Sequence, residues 1–447
     1  MAVLINPDDE GIESAVNCLR AGGIVAFPTE SAYALGAWTG SGEALLKLEK
    51  LKNRPVDQGF PLLVPSTDFA RAMLKRPEGP AWELAEKNWP GGLTLVDVPL
   101  RKVPREVSSE LGVGIRVTKH PWSKRMVEVF DGSVTCTSAN LRGDPPAIRS
   151  DEISEKLLHQ VDMVVEGNAG GEMVSTVITP RAWGIQVIRE GPVEVDKELQ
   201  ITDDRILRGR ALVFQPRLGY RFSIDALLLA GFVKDTLVAG KKSSVSAVEL
   251  GTGCGVVSIC LAKKLEEHSI DISVTAYELQ NRLGDLAEMN VELNEMSSFI
   301  KVVKRDFKTL ADMKEKPWVD LVFSNPPYRP VGTGRQSPCK EKELALGETA
   351  CSMEDVAVTG GALLRSGGVL CVIYPAKRLS ELIRVFSGNN LYLQTIMLVY
   401  PRRRSAANRV IASFRRGDAE RPIDVLPPFI MYEDDGRETS GLQSIVV

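Results

Sequence analysis

Apolar residues in the first half of the chain recur at both helical and strand spacings. Apolar side chains between Ile12 and Leu19 lie three and four residues apart, which predicts an amphipathic helix ended by Gly22-Gly23. Ser41 is placed to cap a second helix. Short apolar runs predict strands at Ile24 to Phe27, Leu62 to Val64 and Leu93 to Val98. This alternation is typical of an α/β or α+β domain.

The second half alternates more regularly. A strand from Ala247 to Leu250 is followed by a glycine-rich turn and a helix from Val256 to Lys264. Further elements are predicted as a helix over Arg282 to Asn294 and strands over Ser273 to Tyr277, Ile300 to Val303, Leu321 to Phe323 and Val369 to Ile373. Strands that alternate with helices predict a parallel, doubly wound sheet. The polar stretch 193–205 separates the halves, which predicts domains at 1–195 and 206–447.

Composition supports this picture and narrows the function. A chain of 447 residues that is 44% hydrophobic and 25% charged is typical of folded domains and not of disordered or fibrous proteins. The sequence contains no apolar run long enough to span a membrane, and no membrane partner is expected. Seven cysteines without a Cys-x-x-Cys pair favour a cytoplasmic location. Only three histidines occur, and no metal site is predicted.

The glycine-rich turn predicts a ligand site. Gly251, Gly253 and Gly255 alternate with other residues between a strand and a helix, where missing Cβ atoms allow a ligand to approach the backbone. The spacing differs from that of the dinucleotide-binding turn. Glu278 ends the next strand, where a carboxylate can hold ribose hydroxyls.

The segment Asn325-Pro326-Pro327-Tyr328 follows the strand Leu321 to Ser324 directly. Prolines stiffen the backbone and lack an amide hydrogen. The Asn325 amide oxygen and the Pro326 carbonyl are therefore candidates to accept both hydrogens of an amino group, and Tyr328 is a candidate to stack on the flat group that bears it. These three residues are the predicted catalytic residues.

The second half resembles the class I S-adenosylmethionine-dependent methyltransferases that carry an N-P-P-Y motif, and among them the tRNA adenine N6-methyltransferases. Segments 219–229, 305–307, 362–370 and 426–436 add to the resemblance. It implies a Rossmann-like fold, S-adenosylmethionine as methyl donor, and a tRNA anticodon loop as partner. It also implies that the donor is bound by Glu249, Gly251, Gly253, Gly255, Glu278 and Asp306, with Asp225 at the entrance. Arg402 to Arg404 and Arg415-Arg416 are candidates for phosphate contacts.

Three segments of the first half carry hydroxyl, amide and basic side chains. They are Phe27 to Tyr33, Lys52-Asn-Arg54 and Thr137 to Asn140. A lysine and an arginine two residues apart at a helix end can hold phosphates, the arginine as a fork and the lysine as a point charge. Hydroxyl and amide groups suit recognition of a nucleotide or an amino acid.

In this order, these segments resemble the YrdC-like threonylcarbamoyl-adenylate synthases, which have an α/β twisted-sheet fold. The resemblance implies that threonine, bicarbonate and ATP, with Mg²⁺ as its companion ion, yield threonylcarbamoyl-AMP and pyrophosphate. A threonylcarbamoyl-transfer complex would be the next partner. Lys52, Arg54, Ser138 and Asn140 would hold ATP. The amino-acid and adenylate pockets would be formed by Thr29, Tyr33, Arg116, Ser175 and Arg189.

The sequence leaves three functions open. One is a bifunctional enzyme whose halves both act on the adenosine 3′ of the anticodon. Another is a tRNA methyltransferase with a non-catalytic, RNA-binding first half, since Ala34 and Gln58 to Pro61 depart from the synthase pattern. The third is a protein-glutamine N5-methyltransferase that acts on a release factor, because the N-P-P-Y chemistry does not separate an amide from an aryl amine.

Overall fold

The computed structural model divides the chain into two compact units, Met1–Ile201 and Thr202–Val447. It describes residues 2–53, 58–141, 143–171, 173–182, 184–313, 318–328, 351–417 and 422–446. The division falls within the polar stretch predicted as a boundary. That stretch is not free of regular structure, because Ile201–Ile206 forms a strand.

The first unit is built from two sheets. Its strands are β1 (Val3–Ile5), β2 (Val25–Pro28), β3 (Tyr33–Gly36), β4 (Leu62–Leu63), β5 (Leu93–Asp97), β6 (Ser108–Ser109), β7 (Gly112–Arg116), β8 (Val134–Thr135), β9 (Thr137–Ser138), β10 (Met163–Val165), β11 (Thr176–Arg181) and β12 (Gly184–Arg189). One sheet has the order β1-β10-β2-β3-β9. The other has the order β12-β11-β5-β7-β4-β8, with β6 paired to β7. Both mix parallel and antiparallel pairs.

The helices of the first unit cover apolar faces of these sheets. They are α1 (Asp9–Arg20), α2 (Gly42–Lys52), α3 (Thr67–Met73), α4 (Pro80–Asn88), α5 (Pro121–Phe130) and α6 (Glu155–Leu158). The first helix begins where the Asp8 side chain accepts from the Gly11 amide, and it ends before Gly22, whose φ of 83° is left-handed. Ile12, Val16 and Leu19 on one face of this helix are buried, as their spacing predicts.

The second unit contains one large sheet and a two-stranded ribbon. Its strands are β13 (Ile201–Ile206), β14 (Ala211–Pro216), β15 (Ser244–Leu250), β16 (Asp271–Glu278), β17 (Ile300–Lys304), β18 (Val319–Ser324), β19 (Leu364–Pro375), β20 (Leu391–Tyr400), β21 (Arg409–Arg416), β22 (Asp424–Val425) and β23 (Phe429–Ile430). Its helices are α7 (Ile224–Ala239), α8 (Val256–Leu265), α9 (Asn281–Leu293), α10 (Met353–Leu363), α11 (Leu379–Gly388) and α12 (Ser440–Val446).

The large sheet has the strand order β17-β16-β15-β18-β19-β21-β20-β22, with β23 also on β20. The first five strands are parallel. The predicted doubly wound fold is confirmed, with the correction that β21 runs antiparallel to both of its neighbours. The chain order reverses between β15 and β18, and in doubly wound sheets ligands bind beyond the carboxyl ends of strands at such a reversal.

Each unit has its own apolar core, which the sequence length allows. In the second unit Val248, Val322 and Leu370 from three adjacent strands are almost completely buried. In the first unit Leu35, Leu62 and Ile115 occupy comparable positions. Across the described ranges, the helices are all too short or too polar to cross a membrane.

Candidate active sites

The first unit encloses a cavity of about 520 Å³. This volume lies within the range typical of small-molecule sites. Seven of the residues predicted from the sequence line it, namely Thr29, Tyr33, Arg116, Ser138, Asn140, Ser175 and Arg189. Residues that are distant in the sequence therefore meet in one cavity.

A buried ion pair lies at one wall of this cavity. The Arg116 Nη2 atom is 2.6 Å from Glu30 Oε1, and both side chains are less than a tenth exposed. The Thr118 hydroxyl donates to the other Glu30 oxygen at 2.6 Å. Burial alone would raise the pKa of Glu30, but the Arg116 charge and the Thr118 hydrogen bond outweigh it and hold the pKa below its ordinary value. Glu30 thus fixes the orientation of the Arg116 guanidinium.

A second arginine faces the same cavity. Arg189 donates to the Ser175 carbonyl from Nη2 at 2.8 Å and from Nε at 3.1 Å, and its Nη2 is 3.0 Å from the Ser175 hydroxyl. Ser175 also shares a 2.8 Å hydrogen bond with the Thr94 hydroxyl. Burial, followed by the charge of Arg116, lowers the pKa of Arg189. Two guanidinium groups close enough to affect each other make this cavity suited to an anion.

Lys52 approaches the same wall from the end of α2. Its Nζ donates to the Ser138 and Asn140 carbonyls at 2.8 and 2.6 Å, and to Asn140 Oδ1 at 3.0 Å. The ammonium group ties the loop after β9 to the helix and does not itself line the cavity. The predicted phosphate contact of Arg54 falls outside the described residues.

The segment after β2 shapes the cavity mainly through its backbone. The Thr29 hydroxyl donates to the Ala32 carbonyl at 2.7 Å and closes a tight turn. The fully buried Tyr33 donates its hydroxyl to the Val165 carbonyl at 2.9 Å. Its contribution to the cavity therefore comes from its ring and backbone, and burial raises the pKa of its hydroxyl to about 12.

The second unit holds a cleft at the carboxyl edge of its sheet. Gly251 follows β15, Glu278 ends β16, Asp306 follows β17 and Asn325 follows β18, and all four line this cleft. The described residues enclose about 70 Å³, room for only part of a nucleoside-sized ligand. The cleft therefore forms at the chain reversal where a ligand is expected.

The glycine turn requires its glycines. Gly251, Gly253 and Gly255 have φ values of 75°, 58° and 84°, all in the left-handed region that disfavours other residues. A Cβ on Gly253 would lie 2.9 Å from the ring of Tyr220. Gly251 is partly exposed and has open space where a Cβ would lie, so a ligand can approach the backbone closely there.

Glu278 is positioned by backbone amides. Its carboxylate accepts from the Gly253 amide at 2.9 Å and from the Gln280 amide at 2.9 Å, one on each oxygen. Each carboxylate oxygen accepts more than one hydrogen bond. The group remains able to bind vicinal hydroxyls while its orientation is fixed.

Two residues predicted to bind the donor do not line the cleft. Glu249 is 1% exposed and accepts from the Thr252 hydroxyl at 2.6 Å and from the Ser258 hydroxyl, beneath the turn. Burial, opposed in part by these hydroxyls, raises the pKa of Glu249 to about 7. Gly255 begins α8 and shapes the turn. Glu249 therefore supports the turn from below, and its contact with the donor stays a prediction.

The N-P-P-Y segment is divided between the cleft and a polar anchor. Asn325 and Pro327 line the cleft, whereas Pro326 is buried and does not line it. The Tyr328 hydroxyl donates to Asp225 Oδ2 at 2.7 Å, and this contact fixes the end of the described loop. Tyr328 is half-buried.

Arg409 completes this anchor from β21. Its Nε donates to Asp225 Oδ2 at 2.9 Å and its Nη2 lies 3.1 Å from the Tyr328 hydroxyl. The guanidinium carbon lies 4.9 Å from the centre of the Tyr328 ring. Burial, followed by the negative charge of Asp225, raises the pKa of Tyr328 to about 12. The tyrosine therefore serves as a fixed, neutral hydrogen-bond donor.

Two further side chains, Asp306 and Tyr220, line the cleft. Asp306 accepts from the Lys308 amide at 3.0 Å and begins a short helical turn, so one of its oxygens is engaged by the chain itself. Tyr220 lines the cleft against Gly253. Sequence reasoning did not assign a role to Tyr220, Arg409 or Glu30. No metal-binding group of three or more His, Cys, Asp or Glu side chains occurs in the described ranges.

The two predicted phosphate-binding segments lie at opposite edges of the sheet. Arg402 to Arg404 follow β20 and precede β21, on the same edge as Arg409 and the cleft. Arg415 and Arg416 end β21, and Arg415 pairs with Val369 near the start of β19. The second segment is therefore remote from the cleft, and phosphate contacts by either segment stay a prediction.

Comparisons with known proteins match each unit separately. The family model described as telomere recombination, which covers the Sua5, YciO and YrdC proteins, matches residues 17–191. The model described as lysine methyltransferase matches residues 224–325. A threonylcarbamoyl-AMP synthase of Vibrio cholerae is 32% identical over 185 residues, which are 41% of this chain and 98% of that protein.

Each unit is also similar to a second known protein. A threonylcarbamoyl-AMP synthase of Stenotrophomonas maltophilia is 32% identical over 165 residues, which are 36% of this chain and 88% of that protein. The crystal structure of a predicted O-methyltransferase from Agrobacterium tumefaciens is 25% identical with a TM-score of 0.37, and covers 49% of this chain and 94% of that one. The resemblance of the first unit is confirmed by the family match and by these identities. The chain therefore belongs, through its first unit, to the Sua5/YciO/YrdC family that includes the threonylcarbamoyl-AMP synthases, and it joins that unit to a methyltransferase domain.

Proposed function

We propose that this chain is a bifunctional tRNA-modifying enzyme whose two units act on the adenosine 3′ of the anticodon. The first unit would form threonylcarbamoyl-AMP from threonine, bicarbonate and ATP, and the second would methylate adenine N6. The observation that carries the proposal is the position of Asn325, directly after β18 and in the same cleft as Gly251 and Glu278. The acceptor group and the donor site would thus share one edge of the sheet.

The charge of the first cavity supports the synthase reaction. ATP and the carboxylate of threonine are anions, and Arg116 and Arg189 both face the cavity. Arg116 is neutralised by Glu30, so Arg189 supplies the net positive charge between these groups. Mg²⁺, held by the ATP phosphates and water, would balance the remaining phosphate charge. The product would then pass to a threonylcarbamoyl-transfer complex.

Two features of the second unit's cleft support S-adenosylmethionine as the donor, although the described residues enclose only about 70 Å³ of the space that it needs. Glycines with left-handed φ give backbone access, and Glu278 presents a fixed carboxylate for ribose hydroxyls. When bound, S-adenosylmethionine supplies a methyl group on a sulfonium that needs no further activation. The chain's own contribution is to place a nitrogen in line with that methyl group, which accounts for most of the rate in such a transfer.

The acceptor half of the reaction rests on Asn325 and Pro326. An aryl amine loses its conjugation as its lone pair attacks, and positive charge develops on the nitrogen. The Asn325 amide oxygen, which lines the cleft, would accept one of its hydrogens and stabilise that charge. The Pro326 carbonyl would accept the other hydrogen once the loop turns it toward the cleft, since Pro326 is buried in the structure. Tyr328 is anchored by its hydroxyl and is half-buried, and its ring would stack on the base.

A lysine side chain is the second candidate acceptor, since the matched model is described as lysine methyltransferase. That match ends at Asn325, so it covers the donor-binding strands and stops before the prolines and Tyr328. A lysine ammonium must also lose a proton before it attacks, and it has no flat group for Tyr328 to contact. The segment that receives the acceptor therefore favours a planar amine.

Both activities can be tested on the full chain. Incubation with threonine, bicarbonate and ATP is expected to release pyrophosphate only when all three are present. Transfer of labelled methyl groups is compared between unmodified tRNA, threonylcarbamoylated tRNA, a release factor and a lysine-rich peptide. We expect label in unmodified tRNA above all, because N6 then carries two hydrogens and a freer lone pair. Label only in a protein would contradict the RNA assignment.

A further inference from the structure

The opposite edge of the large sheet holds a second, larger cavity of about 1120 Å³. Lys242 before β15, Asp320 in β18, Arg365 in β19 and Arg415 in the antiparallel β21 all line it. These positions lie at the amino ends of the parallel strands. The cavity is thus separate from the methyl-transfer cleft within the same unit.

This cavity carries a surplus of positive charge. The Lys242 Nζ lies 2.5 Å from Asp320 Oδ1, and Arg365 contacts the same carboxylate, which is 6% exposed. Burial, followed by the charges of Arg365 and Arg415, lowers the pKa of Lys242. The described residues that line the cavity include five cations and three carboxylates. The cations are Lys234, Lys242, Lys264, Arg365 and Arg415, and the carboxylates are Asp235, Asp320 and Asp424. An anion bound there would relieve repulsion between the cations.

An exposed aromatic side chain stands beside these cations. Trp318 precedes β18 directly and is 60% exposed. The Arg416 guanidinium carbon lies 5.1 Å from its ring centre, and Arg416 also donates to the Leu364 carbonyl. Val319, next to Trp318, pairs with that same Leu364. Trp318 and the arginines of β19 and β21 therefore occupy adjacent positions on one sheet edge.

We propose that this basic edge, defined as Lys242, Arg365, Arg415, Arg416 and Trp318, is a second RNA-contacting surface. Cations that follow a phosphate backbone, combined with an exposed aromatic ring, form the usual platform for single-stranded RNA. An acidic protein would match the charge but would leave the Trp318 ring without a flat partner. The proposal rests on the proposed function, since it concerns the same RNA substrate.

The distance between the two surfaces suits one extended RNA. Arg409, at the edge of the sheet that holds the cleft, and Arg415, on the basic edge, are six positions apart on β21. At ~3.4 Å per residue this separation is about 20 Å. The basic edge would then hold the RNA beyond the target nucleotide and add affinity without a role in the methyl transfer itself.

The test measures binding of an unmodified tRNA transcript by the full chain over a range of salt concentrations. Trp318→Ala and Arg415→Gln are expected to weaken binding by about fivefold or more each, as loss of a stacked base or a phosphate contact does. Arg415→Gln should also lower the salt slope by about one, whereas Arg415→Lys should keep most of both. Lys301→Ala with Arg384→Ala removes two exposed charges elsewhere on the unit and serves as the control.

The outcomes separate this inference from the proposed function. Thermal unfolding verifies that the variants fold, and methyl transfer at saturating RNA should remain at the parent rate. Unchanged tRNA binding in both variants, with methylation of tRNA intact, would overturn the basic edge alone. A loss of binding to an acidic polypeptide, but not to tRNA, would also overturn it. Failure of the parent chain to bind or methylate tRNA would overturn the proposed function as well.

Discussion

Asp225 Oδ2 lies 2.7 Å from the Tyr328 hydroxyl, although the two residues are 103 positions apart in the chain. This contact joins the start of α7 to the N-P-P-Y segment, and Arg409 from β21 binds both partners. The loop that would receive the methyl acceptor is therefore fixed from two sides. Its orientation depends on a buried carboxylate that has no predicted role in the chemistry itself.

Removing the tyrosine hydroxyl should loosen this loop without abolishing donor binding. Tyr328→Phe keeps the ring but loses the hydrogen bonds to Asp225 and Arg409, so the buried Asp225 carboxylate loses one partner and keeps its contact with Arg409. We expect stability to fall by about 1–2 kcal/mol and turnover to fall several-fold while binding of S-adenosylhomocysteine is preserved. Chemical denaturation and single-turnover methyl transfer measure the two effects. An unchanged turnover would show that the anchor has no positioning role.

Asn325→Ala is expected to lower the methyl-transfer rate by ~10²-fold or more, because it removes an interaction that strengthens in the transition state. Donor affinity measured by calorimetry should remain within about twofold of that of the parent chain, because the substitution does not change the positions of Gly251 and Glu278. Asn281→Ala, at an exposed position at the start of α9, is the matched control. A large loss of donor affinity in Asn325→Ala would move Asn325 from the acceptor to the donor side.

Glu278 should dominate donor affinity. Glu278→Ala removes a carboxylate that is placed for ribose hydroxyls and is itself held by two amides. The expected loss is ~1.5–3 kcal/mol of binding free energy. Calorimetry with S-adenosylhomocysteine measures it, and Glu278→Gln, which retains one carbonyl acceptor, should lose less. Equal and small losses in both variants would contradict the assignment.

Glu249 predicts how the stability of the second unit depends on pH. Burial raises the pKa of this carboxyl to about 7, above its value in the unfolded chain of roughly 4.3. The folded state therefore binds the proton more tightly than the unfolded chain does. The contribution of Glu249 to the free energy of unfolding consequently falls by on the order of 3 kcal/mol as pH rises from about 4 to about 7. Urea unfolding between about pH 5 and about pH 8 should show this slope, and Glu249→Gln should lack it. A parent and a variant with the same slope would contradict the titration of Glu249.

The buried pair of the first unit should be sensitive to loss of either partner. Glu30→Ala leaves the Arg116 charge buried with no carboxylate beside it and should cost ~3–5 kcal/mol of stability. Glu30→Gln retains a hydrogen-bond acceptor for Thr118 and is the milder variant. Both should reduce threonine-dependent pyrophosphate release, because the orientation of Arg116 is lost. Release at the parent rate in Glu30→Gln would show that the charge of Glu30 is not needed.

The sequence predicts local features of this chain well and distant pairings poorly. The strands and helices around the glycine turn follow from apolar spacing, and Asn325 and Glu278 lie at strand ends as the doubly wound pattern requires. Arg409 reaches Asp225 across 184 positions, and Glu30 receives the Thr118 hydroxyl across 88. No local spacing signals such pairs, because only the completed sheet brings them together.

The direction of one strand and the burial of one carboxylate could not be predicted from local sequence patterns either. Alternating elements imply parallel strands, so the antiparallel course of β21 and the separation of Arg409 from Arg415 could not be inferred. Glu249 lies within β15, two positions before Gly251, and its burial beneath the turn depends on hydroxyls supplied by Thr252 and Ser258. The burial of the Glu249 carboxylate can be recognised only in the folded structure, where both of its hydroxyl partners lie beside it.

The most direct test of the central claim is nucleoside mass spectrometry of tRNA that has been incubated with the full chain and S-adenosylmethionine. We predict one added methyl group on adenine N6 of the nucleotide 3′ of the anticodon, and we predict that it is absent with Asn325→Ala. We also predict more product from unmodified than from threonylcarbamoylated tRNA. Adenosine that stays unmethylated in both RNAs, while a release factor or a lysine peptide acquires the methyl group, would show that the second unit is a protein methyltransferase.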